Sequence, residues 1–270
     1  MRHAARVDTY THGHAEPVLA SHRWRTAENS AAYLLPHLRA RLDLLDVGCG
    51  PGTITVDLAA RVAPGRVLGI DPAAGVLDEA RAAAAEAGVE ASFEVGDVYG
   101  LDLPDDSFDI VHAHQVLQHL SDPVAALREM ARVCRRGGLI AVRDVDYAVT
   151  ALHPHDPVLD RWLELYSAVA RRNGGQPDAG RRLLAWAHAA GLRDVTPSTS
   201  SWCFATPADR EWWGRSWAGR ATASAFAEQA VASGLADAAE LQAIGHAWLR
   251  WAAADDGWLG MLHGEVLIRV

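Results

Sequence analysis

A glycine-rich loop follows directly on a short apolar run and is the first candidate for ligand binding. The stretch "LLDVGCGPGT", Leu44 to Thr53, places Gly48, Gly50 and Gly52 at alternate positions. Because glycine has no Cβ, a ligand can lie against the main chain of such a loop. The pattern predicts a nucleotide-type pocket. A plain strand-to-helix turn is the alternative that the loop alone leaves open.

Acidic residues close the first three apolar runs of the same region. Asp46 precedes the glycine loop, Asp71 closes "RVLGID" and Asp97 closes "ASFEVGD". The carboxyl ends of parallel strands meet at one edge of a sheet, so these carboxylates should surround one crevice. Such a crevice repels a pyrophosphate and attracts a cation. The spacing GxGxG also differs from the dinucleotide fingerprint, in which the third glycine comes one residue later.

In combination these motifs resemble the class I S-adenosylmethionine-dependent methyltransferases, in the branch of the ubiquinone and menaquinone biosynthesis type and related small-molecule enzymes. The resemblance covers roughly residues 20–145 and includes "LLDVGCGPGT", "VLGIDPAAGVL" and "LREMARVCRRGGLIAVRD". It implies S-adenosylmethionine as the cofactor and S-adenosylhomocysteine as the product. The expected function is methylation of O, N or C of a small acceptor molecule. A fold relative that uses the cofactor for a cyclisation, and a regulatory binding module, remain alternatives.

The resemblance also implies roles for individual residues. Asp71 would bind the ribose of the cofactor, and Asp97 with Val98 would bind the adenine. Asp46 would favour the ammonium group, directly or through water. Further residues expected at the cofactor are Gly48, Gly50, Gly52, Cys49, Pro72, His114 and Gln115. Cys49 is expected to pack in the loop rather than to act as a nucleophile, because no base lies near it in sequence.

Candidate bases follow the fourth and fifth apolar runs. Transfer from a sulfonium mainly requires alignment and exclusion of water, but a weakly acidic acceptor also needs a base. His114 and His119 in "VHAHQVLQHL" and Asp144 in "RDVDY" are the catalytic candidates, and Asp146 is a candidate for binding the acceptor. Structural hydrogen bonds or solvated strand ends are the alternatives for His119 and both acids. His112 is equally compatible with a core position.

The N-terminal stretch "YTHGHAEPVLASHRWRTAENS" is rich in Tyr, His, Trp and Arg. In related enzymes this segment closes over the cofactor. Tyr10 and Arg25 are therefore expected at the cofactor, with Arg25 on the methionine carboxylate. His12 and His14 are expected at the acceptor. A frayed, solvated arm is the alternative interpretation.

The second half of the chain carries nine of the ten tryptophans. Trp213 and Trp217 are four residues apart and so share one face of a helix. They are expected to line an apolar acceptor pocket, although core packing is the alternative. The acceptor is accordingly predicted to be a hydrophobic, aromatic or polyketide-like small molecule.

The elements that must position these residues follow from the alternation of apolar runs and Ala-rich stretches. Five strands are predicted over 42–47, 66–71, 91–97, 107–113 and 137–145, and two more over 192–205 and 258–270. Helices are predicted over "RTAENSAAYLLPHL" and about 156–173, 178–190 and 207–254. The fold class is an α/β, Rossmann-like, doubly wound sheet of seven mostly parallel strands with an antiparallel last strand. A helical cap is inserted late in the chain.

This organisation divides the chain into three parts. Residues 1–40 form an N-terminal lid and helix, 41–150 the cofactor-binding core, and 151–270 a Trp-rich substrate cap with the last two core strands.

Composition excludes several function classes. The formal net charge of −9 disfavours a nucleic-acid partner, because neutralisation of phosphates by Lys and Arg supplies much of such binding. Cys49, Cys134 and Cys203 lie far apart without a CxxC pair, so neither a metal site nor a disulfide framework is expected. The sequence shows no membrane span and no secretory signal, which indicates a cytoplasmic protein. A homodimer is one assembly that the sequence leaves open.

Overall fold

The computed structural model describes Thr11 and residues 16–270, with the side chains of Thr11 and residues 18–270. The expectations for Tyr10, His12 and His14 lie outside the described residues.

A mixed β-sheet forms the centre of the molecule. Its strands are β1 Leu44–Val47, β2 Val67–Asp71, β3 Ser92–Val95, β4 Phe108–His114, β5 Cys134–Val145, β6 Ala151–His153, β7 Asp194–Phe204 and β8 Trp258–Arg269. The order is β3-β2-β1-β4-β5-β8, and β8 pairs further with both β6 and β7. Strands β1 to β5 are parallel, whereas β8 runs antiparallel to β5, β6 and β7. The predicted fold class is confirmed, and the three-residue β6 is an additional strand.

Helices cover the sheet and form the cap. They are α1 Glu16–Arg23, α2 Ala27–Ser30, α3 Thr53–Val62, α4 Ala74–Ala87, α5 Pro123–Val133, α6 Pro157–Arg172, α7 Leu183–Ala189, α8 Pro207–Thr222, α9 Ala225–Ala232 and α10 Ala238–Ala253. Helices α8 to α10 fall between β7 and β8, as the insertion hypothesis requires. No helix among residues 16–270 is long and apolar enough to cross a membrane.

Three predicted helices differ from expectation. The one over 178–190 is α-helical only from Leu183 to Ala189, after a 3-10 turn over Gly180–Arg182. The segment around "RTAENSAAYLLPHL" forms only the single turn α2, capped by Thr26, and a separate 3-10 turn over Leu35–His37. Pro36 in that second turn has no backbone N–H to continue an α-helix. The long segment 207–254 is divided into three helices, with new N-caps at Ser224 and Asp237.

The cap has its own aromatic core. Trp162 of α6 lies edge-on to Trp217 of α8 and Trp248 of α10, with ring centroids 4.6 and 4.8 Å away. All three side chains are fully buried. Edge-to-face packing at this distance adds to the stabilisation from burial alone. The three cap helices α6, α8 and α10 are therefore held together by well-packed indole rings, which fix the position of α8 in the cap.

Candidate functional site

A cavity of about 200 Å³ lies along the carboxyl edge of the parallel strands. Its lining residues follow β2, β1, β4 and β5 and continue onto β8, β7 and α8. Because the sheet order is β2-β1-β4-β5-β8-β7, the lining falls into two halves. The glycine-loop half contains Asp46, Gly48, Cys49, Gly50, Asp71 and Pro72, and the cap half contains Leu120, Tyr147, Trp202, Trp213, Arg220 and Met261. Arg25, His114, Gln115 and His119 also line the cavity.

The three glycines of the loop have different surroundings, although all have positive φ. A Cβ built on Gly48 would lie 2.4 Å from Cγ2 of Val116, and one on Gly52 would lie 2.7 Å from Cβ of Ala80. A Cβ on Gly50 would meet only Nδ1 of His22, at 3.9 Å. Gly50 therefore leaves open space on the cavity side. Gly52 instead permits close packing of α3 on α4 and is not part of the lining.

Asp71 joins the end of β2 to the glycine loop. One carboxylate oxygen accepts a hydrogen bond from the Gly50 N–H at 3.1 Å, and the other accepts from the Ala73 N–H at 2.9 Å. The side chain is half-buried and lines the cavity. A fixed, partly accessible carboxylate beside a bare main chain is suited to binding hydroxyl groups.

Asp97 and Val98 lie outside the cavity lining. Asp97 is exposed and accepts a hydrogen bond from the Tyr99 N–H at 2.9 Å. Val98 is buried in the core of the sheet. The structure thus does not bring them to the cavity, and their roles at the adenine remain predictions.

Asp46 is held in a buried polar cluster beneath the loop. Its Oδ1 lies 2.7 Å from Nδ1 of His112, and its Oδ2 accepts from the Thr55 hydroxyl at 2.5 Å. Asp46 is 3 % exposed and His112 is fully buried. Although Asp46 lines the cavity, both carboxylate oxygens already have protein partners. His112 packs inside the sheet, in agreement with the core interpretation.

Cys49 is buried within the loop. Burial raises the pKa of its thiol, and the nearby carboxylates of Asp46 and Asp71 raise it further. Because the thiolate is the reactive form of cysteine, this environment opposes nucleophilic chemistry. Packing is the function that the surroundings of Cys49 support.

A hydrogen-bonded chain fixes the wall between the two halves. Arg25 donates to Oε1 of Gln115 at 2.8 Å, and the Gln115 amide lies 2.9 Å from Nε2 of His263. Nδ1 of His263 lies 3.0 Å from the Met261 carbonyl, which requires this nitrogen to be the donor. Gln115 adopts φ of 54°, a left-handed conformation that is uncommon outside glycine and that clusters at functional sites.

His114 is buried in the cavity wall between aromatic rings. It is 5 % exposed, and its ring centroid lies 5.6 Å from Trp202 and 6.3 Å from His263. Neither ring nitrogen has a hydrogen-bond partner among the described residues. Burial holds the pKa of His114 well below its usual value, and the positive charge of Arg143 acts in the same direction. His114 is therefore neutral, and its ring forms part of the cavity wall.

His119 and Asp144 are linked through the 3-10 turn Leu117–His119. Oδ1 of Asp144 accepts from the Gln118 N–H at 3.1 Å and so holds the turn that carries His119 to the cavity. Burial lowers the pKa of His119 to about 3 and raises the pKa of Asp144 to about 7. Asp144 is fully buried and does not line the cavity, so the structure gives it a positioning role instead of contact with an acceptor.

Asp146 does not reach the cavity either. Both of its oxygens accept from the guanidinium of Arg181, at 2.5 and 2.9 Å, in a two-pronged ion pair. This pair ties the end of β5 to the 3-10 turn Gly180–Arg182. The structure thus places Asp146 in a structural contact, away from the expected acceptor site.

Of the two tryptophans predicted at the acceptor, only Trp213 lines the cavity. Trp217 is packed inside the cap. Sequence reasoning missed Arg220, which follows Trp213 by seven residues and could have been found from helical periodicity. It also missed Tyr147, Trp202 and Met261, which reach the cavity because β5 and β7 end there and the antiparallel β8 begins there.

A buried ion pair lies behind Trp202 and His114. Nε of Arg143 donates to the Ser200 hydroxyl at 2.9 Å and lies 3.3 Å from Oε1 of Glu265. The Arg143 guanidinium also stands over the Trp202 ring, 5.0 Å from its centroid. Arg143 and Glu265 are 1 % and 5 % exposed. This pair fixes the wall of the cavity and was not recognised in the sequence.

The sheet order, the glycine loop and the acid at the end of β2 define a doubly wound α/β protein with a nucleotide-type site. Residues 45–142 match the family model described as a methyltransferase domain. An uncharacterised methyltransferase of Schizosaccharomyces pombe is 34 % identical over 269 residues, which is 96 % of each chain. A probable methyltransferase of Aspergillus luteorubrus is 32 % identical over 301 residues, or 99 % of each chain.

Solved structures agree with this relationship at the level of the fold. The YcgJ protein of Bacillus subtilis superposes with a TM-score of 0.59 over 90 % of this chain and 98 % of its own, at 22 % identity. The chain belongs to the class I S-adenosylmethionine-dependent methyltransferases. The family and the enzyme class predicted from the sequence motifs are thus confirmed.

Proposed function

We propose that the enzyme binds S-adenosylmethionine in the glycine-loop half of the cavity and methylates O, N or C of a small hydrophobic or aromatic molecule in the cap half. One observation supports this most directly. The glycine loop with the fixed carboxylate of Asp71 lines one end of a cavity, and indole rings and neutral histidines line the rest of the same cavity. The cofactor and acceptor would therefore be neighbours within one cavity, as direct transfer requires.

The residues of the glycine-loop half fit the cofactor. The open space beside Gly50 admits a ligand against the main chain, and the Asp71 carboxylate stands at its edge, where ribose hydroxyls could donate to it. Gly48 and Pro72 complete this surface. Arg25 is proposed at the methionine carboxylate, because it lines the same cavity with its guanidinium held by Gln115.

Two further acids are proposed to act at the cofactor. Asp46 would favour the ammonium group through its negative charge, because Thr55 and His112 occupy its oxygens. Asp97, with Val98, is proposed at the adenine. This assignment is supported by Gly96, whose N–H donates to the Asp71 carbonyl at 3.2 Å and so brings the end of β3 beside the end of β2.

When bound, S-adenosylmethionine supplies a methyl group on a positively charged sulfur. The side chains of the cap half exclude water from the acceptor, since Leu120, Trp202 and Met261 present apolar surface. His114 is neutral and can accept a hydrogen bond from an acceptor hydroxyl or amine. His119 is neutral too, but its Nε2 lies 3.0 Å from the side-chain amide nitrogen of Gln118, which donates to it, so its ring has no second nitrogen able to accept from a ligand. Their depressed pKa values suit them to orienting the acceptor more than to retaining its proton.

The small-molecule assignment and the cytoplasmic location belong to the same proposal. A net charge of −9 supports a small acceptor over a nucleic acid. Trp202 and Trp213 line the cavity, which also suits a small aromatic molecule.

Ligand binding tests the proposal without knowledge of the acceptor. S-adenosylhomocysteine should raise the melting temperature and give a calorimetric binding isotherm, whereas NAD should do neither. Asp71→Asn should weaken the affinity for S-adenosylhomocysteine about tenfold or more, because a charge-assisted hydrogen bond to the ribose is lost. Asp102→Asn removes the same charge from an exposed site and is the matched control. Tight binding of NAD instead of S-adenosylhomocysteine would contradict the proposal.

A further inference from the structure

We infer that the acceptor carries an anionic oxygen group, a carboxylate or an enolate or phenolate, which Arg220 and the indole N–H of Trp213 bind. This inference rests on the proposed function, because it concerns the acceptor in the cap half of the cavity. The relevant observation is the juxtaposition of a buried cation and a buried N–H donor on one face of α8, both in the cavity wall.

Arg220 is held rigidly between aromatic rings. Its guanidinium carbon lies 5.0 Å from the ring centroid of Trp217 and 5.9 Å from that of Trp213. The residue is 4 % exposed. A cation that is removed from water and fixed in this way interacts strongly with an opposite charge brought into the cavity. The guanidinium has five N–H donors, so it can bind a ligand oxygen in addition to a protein partner.

Trp213 supplies a second donor in the same wall of the cavity. Its Nε1 is buried and has no hydrogen-bond partner among the described residues. The indole nitrogen can only donate, so the atom that satisfies it must be an acceptor such as oxygen. A ligand without such an atom would leave this buried N–H unpaired, at a cost in binding free energy.

The distribution of charge in the cavity also supports an anionic acceptor. The described lining residues include only two acids, Asp46 and Asp71, and both lie in the glycine-loop half. The cap half therefore contributes no carboxylate from the described residues to attract a cationic amine. A purely apolar acceptor would leave Arg220 and Trp213 without ligand contacts. The aromatic walls and the two donors together favour a planar acid over both a cationic amine and a purely apolar molecule.

The test uses the whole enzyme saturated with S-adenosylhomocysteine and two pairs of aromatic probes. The carboxylate pair is 1-naphthoate against 1-naphthamide, and the enolate pair is 4-hydroxycoumarin against 4-methoxycoumarin, each titrated by calorimetry near neutral pH. We expect the anion of at least one pair to bind about tenfold more tightly than its neutral partner. The pair that shows the preference identifies which anion the site takes.

Three substitutions test whether residues of α8 cause the preference. Arg220→Gln should remove the difference between anion and neutral partner, whereas Arg220→Lys should keep part of it because the charge remains. Trp213→Phe keeps an aromatic ring but no N–H and should weaken anion binding a few-fold. The affinity for S-adenosylhomocysteine should be unchanged in all three variants, which also shows that they fold.

Equal affinity for both members of each pair, or a preference that survives Arg220→Gln, would overturn the inference. Failure of the wild-type enzyme to bind S-adenosylhomocysteine would instead refute the proposed function. In that case the same probe pairs, titrated into the free enzyme, still decide whether Arg220 selects anions.

Discussion

Nδ1 of His112 lies 2.7 Å from Oδ1 of Asp46, and both side chains are buried beneath the glycine loop. The two residues are partners in the register of β1 and β4. The second oxygen of Asp46 accepts from Thr55 of α3. Asp46 therefore connects the strand before the loop, the helix after it and the neighbouring strand, and so fixes the shape of the loop.

His112→Ala should lower the free energy of unfolding by about 2–4 kcal/mol, because it leaves a buried carboxylate without one of its two partners and also creates a cavity. Urea denaturation measures the change. The double variant Asp46→Asn with His112→Ala should lose less stability than the sum of the two single variants, since no charge is then left buried. A change below about 0.5 kcal/mol in His112→Ala would show that the contact is not structural.

Gly50 and Gly52 should respond differently to the same substitution. Both have positive φ, so alanine costs about 1 kcal/mol in backbone strain at either position. At Gly52 the new methyl group would also meet Ala80, and Gly52→Ala should destabilise the fold by about 3 kcal/mol in total. At Gly50 the methyl group points into open space beside the cavity, so Gly50→Ala should mainly weaken binding of S-adenosylhomocysteine.

Thermal unfolding with and without S-adenosylhomocysteine separates these effects. If Gly50→Ala left the affinity unchanged, the cofactor would not lie against this part of the loop. If Gly52→Ala were as stable as Gly50→Ala, the packing of α3 on α4 would be less tight than the structure shows.

Local patterns in the sequence were sufficient to predict most of the fold. The alternation of β-like runs and helical stretches located the seven main strands, because each run is long enough for its periodicity to be visible. The three-residue β6 is too short for such a signal and exists only because β8 offers it a pairing edge. The single-turn α2 is another element that tertiary contacts determine, since its two buried residues, Ala27 and Ser30, pack beneath the rest of the chain.

The residues of the site also fall into two groups, those that a local motif predicts and those that only the tertiary fold brings together. The residues of the glycine loop and Asp71 are recognisable because one short motif carries them together. Tyr147, Trp202 and Arg220 come from three separate elements, and only the sheet order and the position of α8 bring them to one cavity. Asp144 and Asp146 were expected at the crevice because they end a strand, but one supports a turn and the other pairs with Arg181.

His114 should remain neutral throughout the physiological pH range. Its pKa lies well below the usual value because burial disfavours the imidazolium and Arg143 repels it. Nitrogen-detected NMR of labelled histidines should show constant ring shifts for His114 between about pH 5.5 and 8, far above the pH at which it would titrate. The variant His114→Asn assigns the signal. A midpoint between about pH 6 and 7 would contradict this electrostatic environment.

Asp144 should make the stability of the protein depend on pH. Its pKa is about 7 in the folded chain against an ordinary value of 3.8, because burial disfavours the carboxylate. Between these two values the folded state binds a proton that the unfolded state has released. The stabilisation from this group is thus complete below pH 3.8 and is lost as the pH rises to about 7.

Asp144→Asn tests this dependence, because asparagine resembles the protonated acid and still offers an oxygen to the Gln118 N–H. From about pH 5.5 to 7.5 the wild-type chain should lose about 2 kcal/mol of unfolding free energy relative to the variant. Urea denaturation at the two pH values gives the difference directly. The comparison cancels the other titrating groups, which both proteins share. Parallel pH profiles for the two proteins would show that Asp144 is ionised in the folded state. The turn that carries His119 would then donate its hydrogen bond to a carboxylate and not to a protonated acid.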